Sequence, residues 1–288
     1  MDKIKSMQPD GRIYADSSSI GRTGIGRGLV SATCANLYRR ATFHSEIDSQ
    51  VVLGERVAIL DKTNDFYHIR SEDGYTGWIN RHQVVETNND NEQPFTMVTA
   101  ILSELYEQPD PSSPAKGLVV AGNYLLMVEK HKEWVQVGLP DGDMAWVSAS
   151  ALEAMPRLSR NELIAYARRM MGTPYIWGGK TPLGLDCSGF TQLVHKVFNI
   201  SLRRDARMQY EDARPVSYDP LQGEPGDLMF FAEQGQRITH VGFCLGEGRI
   251  LHARGKVHIN SLCKGEADFD PVLLNDFVAV RTFMKEEK

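Results

Sequence analysis

Cys187 follows a stretch whose residue types and spacing suit nucleophilic chemistry. A glycine-rich, aromatic segment, residues 173–180, leads towards it. The apolar residues after the cysteine recur at i, i+3, i+4 and i+7: Phe190, Leu193, Val194 and Val197. This spacing predicts one buried face of a helix that begins at or next to Cys187. Unpaired N–H groups and the positive dipole end of such a helix favour thiolate over thiol, so we predict a cysteine nucleophile.

A cysteine nucleophile needs a base within hydrogen-bond reach and a group that orients the base. His240 and His252 flank a glycine-rich turn at residues 246–248. If the two segments form a hairpin centred on Gly246, the two histidines lie opposite one another, with Cβ atoms about 5 Å apart. His240 is then the base, and a neutral His252 holds it in one tautomer. We predict a Cys/His/His triad.

The remaining histidines and cysteines show no such pattern. We interpret His258 as structural, and we expect solvated positions for His44, His68, His82, His131 and His195. The four cysteines have neither the spacing of a disulfide framework nor that of a zinc site: Cys34, Cys187, Cys244 and Cys263. We therefore expect no metal and no cofactor.

The composition permits a globular enzyme of two or three domains. The chain has 288 residues, 42% of them hydrophobic and 24% charged. Its formal charge of -5 argues against nucleic acid or an anionic membrane as a partner. No apolar run approaches the ~18 residues of a membrane span, and no signal peptide is visible. We expect a cytoplasmic monomer, or a periplasmic or secreted one if an N-terminal leader was removed.

The first half of the chain contains an internal repeat. A shift of 68 positions aligns two copies that are rich in β-branched and aromatic residues and bounded by Asp-Gly turns. This pattern predicts two small β-barrels, at residues 29–90 and 94–155, after a loosely ordered lead-in at residues 1–28. Proline-containing joins at 92–94 and 155–156 mark the edges.

Residues 156–288 predict an α+β domain. Ser159 and Glu162 form a capping box ahead of one apolar stripe, and the Cys187 helix follows. Short strands come afterwards, at residues 227–231, 240–245, 249–252 and 277–281. Helices followed by a run of antiparallel strands are typical of the α+β class.

Five motifs together resemble the NlpC/P60 family of cysteine peptidases. They are Tyr-x-Trp-Gly-Gly at 175–179, Asp-Cys-Ser-Gly-Phe at 186–190, Pro-Gly-Asp-Leu-x-Phe-Phe at 225–231, His-Val-Gly at 240–242 and Ile-Leu-His-Ala at 250–253. The likeness covers about residues 157–285. The two repeats resemble bacterial SH3-like (SH3b) domains. Their order before the peptidase is similar to that of γ-D-glutamyl-L-diamino acid endopeptidases, the YkfC-like and dipeptidyl-peptidase VI group.

The resemblance implies a papain-like fold and assigns roles to residues. Cys187 would attack, His240 would carry the proton, and the Tyr175 hydroxyl would help to stabilise the oxyanion. The substrate pocket would include Asp186, Ser188, Arg204 and Asp205. Glu46 and Tyr75 match positions that bind the amine of an N-terminal L-Ala, with Asp186 as a third partner. Ala206 stands where a serine is common, so one pocket hydrogen bond would be absent.

The implied substrate is a released murein peptide, L-Ala-γ-D-Glu-diamino acid, cleaved at the γ-D-Glu bond during cell-wall recycling. Three alternatives stay open at this point. They are a hydrolase of intact peptidoglycan, a non-catalytic SH3b wall-binding module, and an amidase or acyltransferase on the same fold. The sequence does not distinguish diaminopimelate from lysine at the third position.

Overall fold

The computed structural model describes residues 24–87, 95–155, 157–235 and 237–285. These residues form three consecutive units, of which the third contains the last two ranges. The first unit, the first barrel, is an antiparallel sheet in the order β3-β2-β6-β5-β4-β1-β7. Its strands are β1 (Gly26–Val30), β2 (Cys34–Tyr38), β3 (Ile47–Val52), β4 (Arg56–Lys62), β5 (Phe66–Arg70), β6 (Thr76–Asn80) and β7 (Val84–Glu86).

The second barrel repeats this pattern in the order β10-β9-β13-β12-β11-β8. Its strands are β8 (Phe95–Met97), β9 (Leu102–Tyr106), β10 (Ala115–Val120), β11 (Tyr124–His131), β12 (Trp134–Gly138) and β13 (Met144–Ser148). The strands β9 to β13 each begin 68 positions after their counterparts β2 to β6. The predicted internal repeat is therefore a repeat of structure.

The third unit, the α+β unit, packs two of its helices beside an antiparallel sheet in the order β16-β21-β17-β18-β19-β20. Its helices are α1 (Arg160–Arg168), α2 (Cys187–Val197), α3 (Ala206–Asp212) and α4 (Pro271–Asp276). Its strands are β14 (Lys180–Thr181), β15 (Gly184–Leu185), β16 (Arg214–Ser217), β17 (Leu228–Phe231), β18 (His240–Gly246), β19 (Arg249–Arg254), β20 (Lys256–Ser261) and β21 (Phe277–Thr282).

Some expectations from the sequence are wrong in detail. Strand β1 begins at Gly26 and pairs with β4 and β7, so the end of the predicted lead-in is an ordered strand. The rest of that lead-in, residues 1–23, lies outside the described residues, as do both proline positions of the predicted joins. Strand β20, which pairs with β19 along its whole length, was not predicted.

The apolar face of α2 is buried as its spacing predicts. Phe190, Leu193, Val194 and Val197 belong to one core with residues of the sheet, and this core includes Ala121 of the second barrel. The adjacent Gly122 has φ +89°, and a Cβ there would lie 2.9 Å from Leu193 Cδ1. A side chain at this position would separate the second barrel from the helix that carries the cysteine.

Buried polar contacts attach the first barrel to the α+β unit. Lys180 Nζ lies 2.7 Å from Asp73 Oδ2, and both side chains are almost inaccessible to solvent. Gln192 Nε2, on α2, donates to the same oxygen at 3.2 Å. The backbone N–H of Lys180 donates to Gln50 Oε1 at 2.9 Å. These bonds fix the barrel against the helix that begins at Cys187.

Candidate active site

Cys187 is the first residue of α2, and Asp186 is its N-cap. One Asp186 oxygen accepts a hydrogen bond from the Gly189 backbone at 2.7 Å, so the helix start is fixed by its own sequence. Burial raises the pKa of the Cys187 thiol to about 12, although backbone N–H groups of Val241 and Ser188 act against it. Desolvation of the sulfur therefore opposes the effect of the helix end, which favours the thiolate.

His240 and His252 are directly hydrogen bonded, with His240 Nε2 2.7 Å from His252 Nδ1. His252 Nε2 lies 2.9 Å from Asn260 Oδ1, and Asn260 Nδ2 donates to the Asp268 carbonyl at 3.1 Å. That second bond orients the amide so that its oxygen faces His252, which must then carry its proton on Nε2. His252 Nδ1 accepts from His240 Nε2–H, which leaves Nδ1 of the neutral His240 unprotonated.

The hairpin register differs from the predicted one. Phe243 pairs with Leu251 and Cys244 with Ile250, which sets His252 opposite Gly242 rather than opposite His240. The shift is two positions, so both histidines remain on one face as diagonal neighbours, which long side chains can span. A Cβ on Gly242 would lie 2.6 Å from the His252 Cβ. Glycine is thus required for the two imidazoles to meet.

A second polar network surrounds Asp186. Arg204 contacts both oxygens of Asp186, donates to Ser188 Oγ at 2.9 Å, and reaches Ser49 Oγ of the first barrel at 3.0 Å. Gly178 N also donates to Asp186, at 2.9 Å. Five donors in all point at the two oxygens, because Gly189 N and Ser188 Oγ complete the set. Asp186 is therefore already satisfied, which argues against the predicted direct contact with a substrate amine.

A cavity of about 950 Å³ opens above the cysteine. Of the residues predicted to form the site, those that line it are Cys187, His240, Tyr175, Tyr75, Asp186, Ser188, Arg204 and Asp205. His252 lies behind His240 and is fully buried. Ala206, noted as a departure from the family, also lines the cavity. Burial and the nearby Cys187 and Asp186 raise the pKa of Tyr175, so its hydroxyl remains a donor.

Residues 172–268 match the NlpC/P60 family, and residues 37–84 match a bacterial dipeptidyl-peptidase Sh3 domain. The chain is 31% identical over 229 residues to a γ-D-glutamyl-L-lysine dipeptidyl-peptidase of Bacillus cereus (strain ATCC 10987 / NRS 248), covering 73% of this chain and 68% of that protein. This chain belongs to the NlpC/P60 family. It is a cysteine endopeptidase with a papain-like catalytic unit.

Two further proteins are similar to this chain over most of its length. Dipeptidyl-peptidase 6 of Lysinibacillus sphaericus is 27% identical over 256 residues, 81% of this chain and 91% of that protein. The crystal structure of a NlpC/P60 family protein from Bacillus cereus superposes with a TM-score of 0.77 at 23% identity, covering 90% of this chain and 100% of that one. The latter similarity shows a shared arrangement of the fold.

Glu46 does not line the cavity of this NlpC/P60 enzyme, contrary to the expectation from the resemblance. Its side chain is 68% exposed and forms an ion pair with Arg39. The carboxylate of the first barrel that faces the cavity is Asp48, which accepts two hydrogen bonds from the same Arg39, at 2.7 and 3.1 Å. Glu46 precedes β3, whereas Asp48 lies within it on the same face as Gln50, which meets the α+β unit.

Three other functional positions were not predicted from the sequence. Asn260 orients His252, and Arg39 and Trp177 line the cavity, the latter with an exposed indole. Trp177 lies in the glycine-rich segment, and its aromatic side chain was the sequence signal that could have marked it as a cavity residue. Within the described ranges, no three His, Cys, Asp or Glu side chains are grouped to hold a metal, and no helix is long and apolar enough to cross a membrane.

His195 contradicts the prediction of a solvated position. It lies two turns after Cys187 in α2 and is fully buried, stacked on Phe243. Its Nδ1 contacts the Thr191 carbonyl at 2.8 Å, while Nε2 has no hydrogen-bond partner among the described residues. Burial lowers the pKa of His195 from 6.5 to about 4. The fold thus holds a neutral imidazole at the back of the catalytic helix.

We expect His195→Phe to flatten the dependence of stability on pH between 6.5 and 4. In this interval the unfolded chain binds a proton that folded His195 does not, so stability is complete above pH 6.5 and falls towards pH 4. The wild-type loss from this residue should be on the order of 3 kcal/mol. Urea denaturation at several pH values measures it. His131→Phe, at an exposed strand end, is the control, and parallel curves for wild type and His195→Phe would contradict the assignment.

Proposed function

We propose that the enzyme hydrolyses the γ-D-Glu–diamino acid bond of peptidoglycan peptides that begin with a free L-Ala. Two similar proteins carry names that refer to γ-D-glutamyl-L-lysine cleavage. The observation in this chain that carries the proposal is the end of the cavity formed by the first barrel. Tyr75 lies there with two carboxylates, Asp48 and Asp205.

Tyr75, Asp205 and Asp48 line the same cavity, and burial, followed by the negative charges of Asp205 and Asp48, raises the pKa of Tyr75. Asp205 has its own pKa raised, chiefly by burial, and the structure gives its side chain no hydrogen bond within the described residues. Because Asp48 is already paired with Arg39, an ammonium group beside Tyr75 would chiefly offset the cost of burying the Asp205 carboxylate. This end of the cavity therefore suits the free amine of an N-terminal residue.

With the amine placed there, the γ-carbonyl of D-Glu would reach Cys187. The thiol proton passes to His240 Nδ1 while sulfur attacks the carbonyl carbon, and the Tyr175 hydroxyl and a helix-start N–H stabilise the oxyanion. His240 then returns the proton to the leaving amine as the C–N bond breaks. Water, deprotonated by His240, hydrolyses the remaining thioester and restores the thiol.

In this scheme, His252 and Asn260 hold His240 in one tautomer. The bond from His240 Nε2–H to His252 is retained when Nδ1 becomes protonated, so the imidazolium stays oriented. Because His252 is a neutral acceptor, the orienting group adds no charge to a buried site. Burial lowers the pKa of His252 to about 4, which keeps it neutral at physiological pH.

We expect L-Ala-γ-D-Glu-L-Lys to be cut to L-Ala-D-Glu and lysine, and its N-acetylated analogue to be cut at least about 100-fold more slowly. Acetylation removes the positive charge that would pair with Asp205, while Asp48 keeps its bonds to Arg39. Mass detection of L-Ala-D-Glu measures both rates. Equal cleavage of the two peptides would instead favour an open cleft that acts on intact peptidoglycan.

Variants locate the amine site. Asp205→Asn should raise KM for the free peptide and reduce the difference between free and acetylated peptides, because it removes the carboxylate beside Tyr75. Glu46→Gln is the matched control, because this carboxylate is exposed on the first barrel, and it should leave that difference unchanged. If Glu46→Gln abolished the discrimination and Asp205→Asn did not, the amine site would have to be placed elsewhere.

A requirement for the free amine would restrict the enzyme to peptides already released from the glycan strand. On this basis we propose a role in cell-wall recycling. The cytoplasmic location and monomeric state expected from the sequence remain predictions, and fractionation and sedimentation would test them.

A further inference from the structure

The end of the cavity away from the first barrel carries guanidinium groups with unused donors. It is lined by side chains from the loop after β17, the end of β19, and α4: Glu233, Arg237, Arg254, Val272 and Asp276. Cys187, His240 and Tyr75 line the same cavity as these side chains. If the amine of the substrate binds near Tyr75, as in the proposed function, the leaving diamino acid must occupy this opposite end.

Arg254 is held in place but is not saturated. Its Nη1 donates to Asp270 Oδ2 at 3.0 Å. Asp270 is itself fixed, because its other oxygen accepts the Val272 and Leu273 backbone N–H groups at 2.9 and 3.0 Å. Within the described residues, the bond to Asp270 is the one side-chain hydrogen bond that Arg254 forms. Its charge also lowers the pKa of His240, which places the guanidinium near the reacting centre.

Arg237 adds a second cation to the same wall. Its side chain is exposed, and no ion pair is formed with it in the described part of the chain. The carboxylates of Glu233 and Asp276 share the wall, so this end carries both signs of charge rather than a uniform positive field. Two guanidinium groups with free donors suit a carboxylate, since the planar fork matches its two oxygens.

We propose that Arg254 and Arg237 form a leaving-group subsite that binds a carboxylate of the diamino acid. Two sources of this carboxylate are chemically equivalent. One is the α-carboxylate of a diamino acid that ends the peptide, and the other is the second carboxylate on the side chain of diaminopimelate. In either case the enzyme selects peptides by the charge of the residue that leaves.

Four peptides separate the two sources. They are L-Ala-γ-D-Glu-L-Lys and its C-terminal carboxamide, and L-Ala-γ-D-Glu-meso-diaminopimelate and the form amidated at its α-carboxyl. Selection of the α-carboxylate predicts that each acid is cut with a kcat/KM at least about tenfold above its amide. Selection of the side-chain carboxylate predicts that both diaminopimelate peptides exceed both lysine peptides, with no effect of amidation.

Arg254→Gln and Arg237→Gln test the residues. Each should lower kcat/KM for the peptide with the preferred carboxylate more than for the peptide lacking it, so that the ratio between them falls. If the loss of an arginine charge acted only by changing the pKa of His240, kcat/KM would change equally for both peptides and the pH profile of activity would shift. That result would distinguish an effect on His240 from the loss of a carboxylate contact. Arg168→Gln, exposed on α1 and outside the cavity, is the matched control and should preserve the ratio.

The outcomes separate this proposal from the proposed function. If wild type releases L-Ala-D-Glu from all four peptides at similar rates, the subsite is wrong while the peptidase specificity stands. The subsite is equally wrong if Arg254→Gln and Arg237→Gln keep the wild-type ratio. If wild type releases L-Ala-D-Glu from none of the peptides, the proposed function itself is wrong.

Discussion

Cys187→Ala is expected to lower kcat for L-Ala-γ-D-Glu-L-Lys by at least about 1,000-fold, since no thioester can then form. The change removes one small buried side chain at a helix start, so the fold should be retained. Release of L-Ala-D-Glu, followed by mass detection, measures the loss. A near-native melting temperature shows that the loss is chemical.

Cys263→Ala is the matched control for this prediction. That thiol donates to the Glu247 carbonyl and does not line the cavity, so its removal should leave kcat within about twofold of wild type. Hydrolysis that survived Cys187→Ala would show that another group is the nucleophile. A loss in Cys263→Ala alone would point to the same conclusion.

Arg204→Met is expected to destabilise the enzyme by about 3–5 kcal/mol, because it leaves the Asp186 carboxylate buried without its cation. Arg204 and Asp186 have side chains that are 2% and 9% exposed, and the guanidinium also reaches Ser188 and Ser49. Activity should fall as well, since Asp186 caps the helix that presents Cys187. Urea denaturation monitored by tryptophan fluorescence gives the change in unfolding free energy.

The neighbouring Arg203 supplies the control. It forms ion pairs with Glu211 and Asp212 on a more exposed surface, so Arg203→Met should cost no more than about 1 kcal/mol. Adding Asp186→Asn to Arg204→Met removes both charges and should restore part of the stability, as a double-mutant cycle would show. Equal destabilisation by the two arginine variants would refute the assigned role of the buried pair.

The parts of the site that the sequence predicts well depend on short-range periodicity. Two predictions remain correct when the strand register is slightly wrong. They are the helix after Cys187 and the placement of His240 and His252, an even number of positions apart, on one face of the sheet. A shift of two positions in the hairpin keeps side chains on the same face of the sheet. The contact between the two histidines was therefore predicted correctly, although the residue predicted to lie opposite His252 was wrong. An odd shift would have separated the two imidazoles.

The parts that the sequence does not predict depend on pairings between distant segments. Asn260 reaches His252 only because β20 pairs with β19, and β20 has no distinctive pattern of its own. The choice of Asp48 over Glu46 depends on a bulge in the pairing of β3 with β2, at which Asp48 is the extra residue. The bond from Arg204 to Ser49 joins positions 155 residues apart. No local pattern encodes such contacts.

The burial of Asp73 and Lys180 between the first barrel and the α+β unit has a consequence for how this architecture can change. Asp73 bonds both Lys180 and Gln192 of α2, so the barrel forms one wall of the reaction chamber in contact with the helix that carries Cys187. Residues on that wall outside these contacts can be exchanged without altering the helix, the cysteine or the histidines. Recognition and bond cleavage can therefore diversify separately, although one cavity contains both.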